Sequence, residues 1–285
     1  MTEADLTQLR TSFVRSPDGL RIAVEESGVP GAPALLFVHG FAQSRRIWRS
    51  VLSGPLAKEH LLVSFDLRGH GDSETPAEAR AAGEWLAGDL EAVIDSLATP
   101  RPIVVAWSYG GVVLGEYLKR GPERVGAALL VAAAVTVGRR ARELFGPTML
   151  ANARGLLSDD ATTYEAAARE FLRGCTASPM PSDVLEASVS EMLRVPVNVR
   201  RALLSRDEDY TPALAGCAVP LAALQGRQDS VVLPRMVERL GTQIDRLVIT
   251  TLDGVGHVPW LESPAAFEAS VRALVTRARL DHGSP

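Results

Sequence analysis

The chain has 285 residues, a length that suits one α/β core carrying an inserted subdomain, and 46% of them are hydrophobic against 22% charged. This mixture is typical of a globular protein and excludes a disordered or fibrous one. The chain contains 30 Lys and Arg residues and 34 Asp and Glu residues, which gives a net charge of −4 at pH 7. The chain therefore lacks the basic surplus that nucleic-acid binding needs, and no nucleic-acid partner is expected.

The sequence predicts a cytoplasmic protein without a membrane span. The first residues, MTEADLTQLR, carry charges where a secretory signal has its apolar region. The most apolar run, residues 125–137, is shorter than the roughly 18 residues that a membrane helix needs. Cys175 and Cys217 lie far apart and form no CxxC or Cys/His cluster, so neither a disulfide framework nor a metal site is expected.

The first part of the chain predicts a β-hairpin followed by strands of a parallel sheet. Residues 13–15 and 20–25 flank Ser16-Pro17-Asp18-Gly19, where Pro presets φ and Gly accepts a positive φ. Next comes the run ALLFV at Ala34–Val38, which is typical of a strand buried on both faces. The same signature recurs along the chain at 61–65, 103–107, 125–131, 221–224 and 247–251.

Segments with helical patterns separate these strands, at 46–58, 79–97, 111–119, 233–240 and 265–279. Strands that alternate with helices predict a doubly wound, mostly parallel sheet, whose active site lies at the carboxyl ends of the strands. The alternation stops between 138 and 210, where only helical patterns occur, one of them starting at Ser182-Asp183. We therefore expect a helical cap at 138–210, inserted between core segments 1–137 and 211–285.

The segment Ala106-Trp107-Ser108-Tyr109-Gly110-Gly111 directly follows a predicted strand and directly precedes a predicted helix. This context is typical of a nucleophile elbow, in which a serine occupies a strained turn between strand and helix. Such a turn needs small neighbours, which Gly110 and Gly111 supply. The usual pattern, G-x-S-x-G, has a glycine where this chain has Ala106.

With three further motifs, this segment resembles the α/β-hydrolase superfamily, in particular its serine esterases and cofactor-free haloperoxidases, over nearly the whole chain. His39-Gly40-Phe41 resembles the HG-x oxyanion motif of that family, and DLRGHGDS at 66–73 resembles its D-x-R-G-x-G-x-S loop. Gly226-Arg227-Gln228-Asp229 and Gly256-His257-Val258-Pro259 fall where the family carries its acid and its base. The order Ser, Asp, His is the order expected of this fold.

The resemblance and the chemistry of acyl transfer together suggest roles for five residues. Ser108 is the expected nucleophile, and His257 is the expected general base because imidazole titrates near pH 6.5. Asp229 is expected to orient the imidazole. The backbone N–H groups of Tyr109 and, by resemblance, of Phe41 are the expected oxyanion hole. No cofactor or metal is implied.

Other polar residues receive structural interpretations. Asp253 lies four residues before His257 and is the nearest rival of Asp229, but it belongs to the same turn as the histidine. We expect Asp66 and Arg68 to form an ion pair that braces their loop. The remaining histidines and the helical aromatic residues are expected to be structural, with His39 and His70 in loops, His60 and His282 facing solvent, and Trp48, Trp85 and Phe267 in the core.

The leading hypothesis is hydrolysis of a carboxylic ester or lactone of a small, largely apolar molecule through an acyl-enzyme intermediate. We expect aromatic neighbours of the catalytic positions and apolar cap residues to contact this substrate, namely Phe41, Trp107, Tyr109, Phe145, Met149 and Trp260.

Alternatives remain open at this point. A carbon–carbon bond hydrolase or a lyase would use the same triad, and a ligand-binding receptor of the same fold would retain slow hydrolysis. Perhydrolysis is disfavoured because some haloperoxidases that favour it carry Pro directly after the oxyanion residue, whereas here Ala42 follows Phe41. Epoxide hydrolysis and dehalogenation are disfavoured because the enzymes of this fold that catalyse them carry Asp where this chain has Ser108. The oligomeric state is left undetermined.

Overall fold

One eight-stranded sheet organises the residues that the computed structural model describes, 6–76, 82–121 and 124–281. The strands are β1 (Arg10–Arg15), β2 (Arg21–Gly28), β3 (Ala34–Val38), β4 (Leu61–Phe65), β5 (Ile103–Trp107), β6 (Ala127–Val131), β7 (Leu221–Gly226) and β8 (Val248–Leu252). They lie in the order β1-β2-β4-β3-β5-β6-β7-β8. The β1–β2 and β2–β4 pairs are antiparallel, and the other five are parallel, so the mostly parallel sheet predicted from the sequence is confirmed.

The middle of the sheet sets the position of the functional loops. Every residue of β3, β4, β5 and β6 is buried, which is why these strands appear in the sequence as continuous apolar runs. The chain passes from β3 to β4 on one side and then to β5 on the other, so the winding direction reverses at β3. Val38 pairs with Ala106 in register. The loops that follow β3 and β5 therefore leave the sheet side by side, at the point where such sheets bind ligands.

Helices flank the sheet and fill the connections. They are α1 (Arg49–Leu52), α2 (Glu84–Ser96), α3 (Gly110–Leu118), α4 (Pro147–Leu156), α5 (Ala161–Arg173), α6 (Ser182–Leu193), α7 (Val197–Leu204), α8 (Thr211–Gly216), α9 (Arg235–Gly241), α10 (Pro259–Glu262) and α11 (Pro264–Asp281). In the described residues, no helix is long and apolar enough to cross a membrane.

Two predicted helices differ from the observed ones. The segment predicted as one helix at 46–58 consists of α1 between two 3-10 turns, Arg45–Trp48 and Pro55–Lys58. Gly54-Pro55 separates the pieces, because proline lacks the N–H that would continue the α-helical pattern. Within the segment predicted at 79–97, α2 begins at Glu84, and residues 79–81 lie outside the described residues.

A helical segment lies between β6 and β7, and we refer to residues 138–210 as the cap segment. It contains the 3-10 turn Arg139–Leu144 and then α4 to α7. A short antiparallel contact joins its two ends. Thr136 pairs with Asp209 in an isolated β-bridge, and the Tyr210 amide donates to the Val135 carbonyl at 2.8 Å. The chain therefore leaves and re-enters the core at one place.

The structure corrects the placement of His60, which the sequence led us to expect in solvent. The residue is only 2% exposed. It directly precedes the buried strand β4, and its carbonyl accepts a hydrogen bond from the Val29 amide at 3.0 Å. His282 lies outside the described residues. Trp48 and Phe267 are buried in the core as predicted, whereas Trp85 is only partly buried and lies under the Arg68 guanidinium.

Candidate active site

Ser108 occupies a sharp turn between β5 and α3. Its φ is +53°, a left-handed value that costs a residue with a side chain about 1 to 3 kcal/mol. Three backbone hydrogen bonds hold the turn, since the Ser108 amide donates to the Val131 carbonyl at 3.1 Å and the Ser108 carbonyl accepts from Gly111 and Ala134 at 2.9 Å each. The strained serine is therefore fixed by the neighbouring strand end and by the helix that follows it.

The glycines around Ser108 are required by space. A Cβ on Gly110 would lie 2.7 Å from the Val38 carbonyl oxygen, and one on Gly111 would lie 2.6 Å from that of Ala134. Sequence reasoning anticipated these two glycines but not the role of Gly40 from the loop after β3. A Cβ there would lie 2.9 Å from Ser108 Cβ and 3.3 Å from Ser108 Oγ. Gly40 thus allows the serine side chain to occupy its place.

The loops after β7 and β8 bring His257 and Asp229 together. His257 Nδ1 lies 2.8 Å from Asp229 Oδ2, and both side chains are buried. The His257 backbone is held from two directions, because its amide donates to the Cys175 carbonyl at 2.7 Å and its carbonyl accepts from Trp107 Nε1 at 2.8 Å. Cys175 follows α5 in the cap segment, so core and cap both position the histidine. This contact has no sequence signal.

Four hydrogen bonds hold the carboxylate of Asp229. Besides the imidazole, Oδ2 accepts from Gln225 Nε2 at 3.0 Å, while Oδ1 accepts from the amides of Val231 and Val232 at 2.8 and 3.0 Å. The rival carboxylate of Asp253 instead pairs with Arg227 and is 81% exposed. The structure therefore brings Asp229 and not Asp253 to the histidine.

Two buried backbone amides lie in the loops beside Ser108, those of Phe41 and Tyr109. Phe41 is 7% exposed and Tyr109 is 4% exposed. Among the hydrogen bonds of the described residues, neither amide N–H donates to a protein acceptor. Since buried amides without an acceptor are rare, these two donors are available to a ligand. Ala42, directly after Phe41, has a φ of +52°, so this loop is strained in the same way as the serine turn.

His39 and His70 are structural residues, as we expected. His39 Nδ1–H donates to the Gly40 carbonyl at 2.8 Å, and its Nε2 accepts from the Leu67 amide at 3.0 Å. Burial lowers the pKa of His39 to about 4 and that of His70 to about 3. Both imidazoles are therefore neutral near pH 7, and His39 links the loop after β3 to the loop after β4.

The predicted ion pair between Asp66 and Arg68 is wrong, although both residues do brace their loop. Asp66 pairs with Arg45, and Arg68 pairs with Asp18 and Asp89. The two side chains are two positions apart at the end of β4, and each finds an oppositely charged partner about twenty residues away along the chain. Arg45 and Asp66 are buried, and removing one partner of such a pair costs about 3 to 5 kcal/mol.

Two cavities meet at Ser108. The larger has a volume of about 650 Å³ and is lined by Phe41, Ser108 and Tyr109 from the core and by Phe145, Met149 and Leu150 from the cap segment, among others. The smaller has a volume of about 20 Å³, and its lining includes Trp107, Ser108, Cys175, Met180, His257 and Val258. Five of the six residues predicted to contact substrate therefore line one cavity or the other.

Trp260 is the exception, because it does not line either cavity. Its ring packs against Trp48, with centroids 4.1 Å apart, and edge-on against Trp107 at 4.9 Å. Its Nε1 donates to the Ile47 carbonyl at 3.2 Å. The side chain turns into an aromatic cluster with Trp48 and Trp107, so the structure does not support the prediction that Trp260 contacts substrate, and the residue packs against Trp107 instead.

Known proteins resemble this chain over most of its length. The family model described as the alpha/beta hydrolase family matches residues 35–270. The chain is 31% identical over 251 residues to the pimeloyl-[acyl-carrier protein] methyl ester esterase of Methylococcus capsulatus, covering 84% of this chain and 92% of that protein. A second likeness covers only part of the chain. Over 116 residues the chain is 40% identical to the probable oxidoreductase EphD of Mycobacterium tuberculosis, and this match covers 40% of this chain and 19% of that protein's length.

A solved structure extends this likeness to the fold. The esterase RhEst1 from Rhodococcus sp. ECU1013 matches with a TM-score of 0.87 and 28% identity, covering 94% of this chain and 99% of that one. The region that the family model matches, residues 35–270, includes β4 to β8 and the loops that hold Ser108, Asp229 and His257. Because the family model matches well over half of the chain, the protein belongs to the alpha/beta hydrolase family.

Proposed function

We propose that this protein is a serine esterase that cleaves a carboxylic ester or lactone of a small, largely apolar molecule through an acyl-enzyme intermediate. One observation carries the proposal. Ser108, whose φ is left-handed, lines both cavities together with Phe41, His257 lines the smaller one and is held from behind by Asp229, and Tyr109 lines the larger one. Nucleophile, base, orienting acid and oxyanion donors are the groups that acyl transfer needs.

Acylation follows from these positions. Asp229 holds His257 through Nδ1–H, which leaves Nε2 as the base nitrogen. Ser108 Oγ attacks the substrate carbonyl carbon while its proton passes to Nε2. The carbonyl oxygen becomes an oxyanion that the amides of Phe41 and Tyr109 stabilise. When the tetrahedral intermediate collapses, the carbon–oxygen bond to the alcohol breaks, and His257 returns the proton to the leaving oxygen.

Deacylation repeats the same steps with water. A water molecule gives a proton to His257 Nε2 and attacks the acyl carbon, and the new oxyanion lies at the same two amides. Collapse breaks the bond to Ser108 Oγ, which recovers the proton, and the carboxylic acid leaves. The water is consumed, since its oxygen stays in the carboxylic acid, and the residues return to their first state.

We further propose that residues 138–210 act as a cap that selects the substrate. Phe145, Met149 and Leu150 from this segment line the large cavity, which Ser108 also lines. Apolar walls of this kind discriminate by size and shape, at about 1 to 3 kcal/mol per methylene. The relatives with closely matching length are named esterases, which supports ester hydrolysis as the reaction.

A fluorophosphonate probe tests the proposal directly, because only an activated serine attacks phosphorus efficiently. We expect the probe to modify Ser108, as located by peptide mapping, and Ser108→Ala to lose both labelling and ester turnover. Ser205→Ala is the matched control, since Ser205 lines the same large cavity but bonds to the Ala202 carbonyl. A label on another serine, or turnover that survives in Ser108→Ala, would show that the nucleophile assignment is wrong.

A panel of esters and lactones with graded acyl length then separates catalysis from ligand binding. An enzyme of this kind is expected to reach turnover rates of about 1 to 10³ per second on its better substrates. Rates far below that range on every compound, with normal labelling of Ser108, would favour a receptor. Product analysis by mass spectrometry would reveal carbon–carbon bond cleavage, since that reaction breaks a different bond.

A further inference from the structure

The two cavities that meet at Ser108 differ in size and in which catalytic group they contain. The larger, about 650 Å³, is lined by Phe41 and Tyr109, whose amides are the proposed oxyanion donors, and its lining does not include His257. The smaller, about 20 Å³, is lined by His257 together with Trp107 and Val258. Ser108 lines both. A substrate bound at the serine therefore has one side in a large space and the other in a very small one.

The direction of proton transfer decides which part of an ester occupies which cavity. In the proposed reaction, His257 must give its proton to the alcohol oxygen as that oxygen departs. The alcohol therefore has to lie on the side where the imidazole is exposed, which is the small cavity. The acyl chain, attached to the other side of the carbonyl carbon, is left with the large cavity.

We propose that the substrates are esters of a very short alcohol, methanol or ethanol, with a long and apolar acyl chain. This inference rests on the proposed esterase function and adds the orientation of the substrate. A cavity that holds one water molecule has a volume of about 10 to 15 Å³ on the same measure. The small cavity, at about 20 Å³, therefore has room for an oxygen and little more than a methyl group. The large cavity lies within the range of about 300 to 1,000 Å³ that is typical of ligand pockets.

The outer wall of the small cavity explains why a longer alcohol is excluded. Gln43, Ile47 and Ser188 line the small cavity on one side and a separate surface depression on the other. Gln43 Nε2 donates to the Ser188 carbonyl at 3.4 Å and so joins the loop after β3 to α6 across this wall. A longer alcohol would have to break that contact. The same small space holds the water of the second half-reaction, since water attacks from the position that the alcohol leaves.

Two isomeric esters test the orientation on the unaltered protein. Methyl octanoate and heptyl acetate contain the same atoms, but the first places its chain on the acyl side and the second places it on the alcohol side. We expect kcat/KM for methyl octanoate to exceed that for heptyl acetate by about tenfold or more, because a single methylene that does not fit its pocket already costs about tenfold. Equal values, or a preference for heptyl acetate, would overturn the inference.

A pair of methionines supplies the matched variants. Met180 lines the small cavity and Met149 lines the large one, and both are partly buried residues of the cap segment. Met180→Ala should raise the rate for butyl octanoate relative to methyl octanoate at least about fivefold, by opening the alcohol side. Met149→Ala should change the ranking of acyl lengths and leave the ranking of alcohols as it is.

The outcomes separate this inference from the function on which it rests. If Met149→Ala, and not Met180→Ala, relaxes the choice of alcohol, the two cavities have been assigned the wrong way round. Normal fluorophosphonate labelling with a preference for heptyl acetate contradicts the orientation alone. Loss of labelling at Ser108 together with no turnover of either isomer contradicts the esterase function and the orientation with it.

Discussion

The carboxyl edge of the sheet and the cap segment meet at Ser108, but they are built differently. At the sheet edge, polar atoms are buried and held by hydrogen bonds, as with the four that Asp229 accepts. The cap lines the cavity mainly with apolar side chains, among them Phe145, Met149 and Leu150, which are partly buried or exposed, and also with four charged residues, Arg139, Arg142, Arg206 and Asp207. Hydrogen bonds fix directions, whereas apolar walls fix only volume, which is the physical basis of our proposal that the core carries out the chemistry and the cap selects the substrate.

The contacts between the two regions include both surface ion pairs and buried hydrogen bonds. Arg46 of the core pairs with Glu191 of α6 at 3.1 Å, and Arg194 pairs with Asp72 at 2.8 Å, all with partly exposed side chains. Such pairs contribute about 0.2 to 1 kcal/mol each. Inside the cap, the buried Arg200 donates to the carbonyls of three loop or helix-end residues, Leu156, Ser158 and Val195. Buried hydrogen bonds also join the two regions, since the Tyr109 hydroxyl donates to the Leu203 carbonyl at 3.0 Å and the Gly146 amide donates to the Val231 carbonyl at 2.9 Å.

The largest expected effect concerns the core, in the comparison of Asp229→Asn with Asp253→Asn. Asparagine keeps the shape of Asp229 but favours the wrong imidazole tautomer, so kcat should fall by about 10⁴-fold. Asp253 only pairs with Arg227 at the surface, and its replacement should change kcat by less than about tenfold. Steady-state kinetics on an ester substrate measures both. Circular dichroism must first show that both variants are folded, and the reverse ranking would move the acid role to Asp253.

Acid sensitivity should also come from the core, because all five histidines of the chain lie outside residues 138–210. Burial lowers the pKa of His39 to about 4, below its value of about 6.5 in an unfolded chain. Between these values the unfolded chain binds a proton that the folded chain does not. The free energy of unfolding should therefore fall as the pH drops from about 6.5 to about 4, by about 1.4 kcal/mol per pH unit for this residue.

His39→Gln removes this proton uptake, while the glutamine can still accept from the Leu67 amide. Urea unfolding at several pH values between 4 and 7, followed by circular dichroism, should give a shallower pH dependence for the variant than for the native chain. The slope is the readout, since any loss common to all pH values reflects packing alone. Parallel curves for the two proteins would show that His39 does not contribute to the acid sensitivity.

The core should also be intolerant of small displacements. Gly40→Ala would place a Cβ 2.9 Å from Ser108 Cβ, which must shift the serine. A misplacement on the order of 1 Å can lower a rate by about 10²-fold, so we expect a fall of that order in kcat. Gly216→Ala is the control, because a Cβ there meets nothing within 4 Å and the residue lies at the end of α8. A similar kcat for both variants would show that the serine turn adapts to the methyl group.

The sequence predicts the core well because burial on both faces of a strand leaves an unbroken apolar run. β3, β4 and β5 begin and end at the predicted residues for this reason. The loop motifs that follow the strands could also be located, because turns with positive φ and close packing restrict which residues fit. The roles assigned to Ser108, His257 and Asp229 stay predictions until the kinetic tests are made.

The contacts that sequence reasoning missed join residues far apart in the chain. The Cys175 carbonyl, which holds the His257 amide, comes from a cap loop 82 positions earlier, and nothing local marks it. Trp260 is close to His257 in sequence, but α10 turns its ring toward Trp48, which no local pattern reveals. Proximity along the chain therefore indicated the right region but not the direction in which a side chain points.

The smallest expected effect belongs to the cap and uses two leucines of similar exposure. Leu150 is 46% exposed and lines the large cavity, whereas Leu193 is 41% exposed at the end of α6 and lines neither cavity at Ser108. A half-exposed leucine that covers a bound acyl chain contributes about 1 kcal/mol, so Leu150→Ala should lower kcat/KM for octanoate esters about fivefold and leave acetate esters unchanged. Leu193→Ala should change neither value, and fluorophosphonate labelling of Ser108 should be the same in both variants. A uniform loss on short and long acyl chains in Leu150→Ala would show that the cap affects the chemistry itself, and the division between the two regions would then fail.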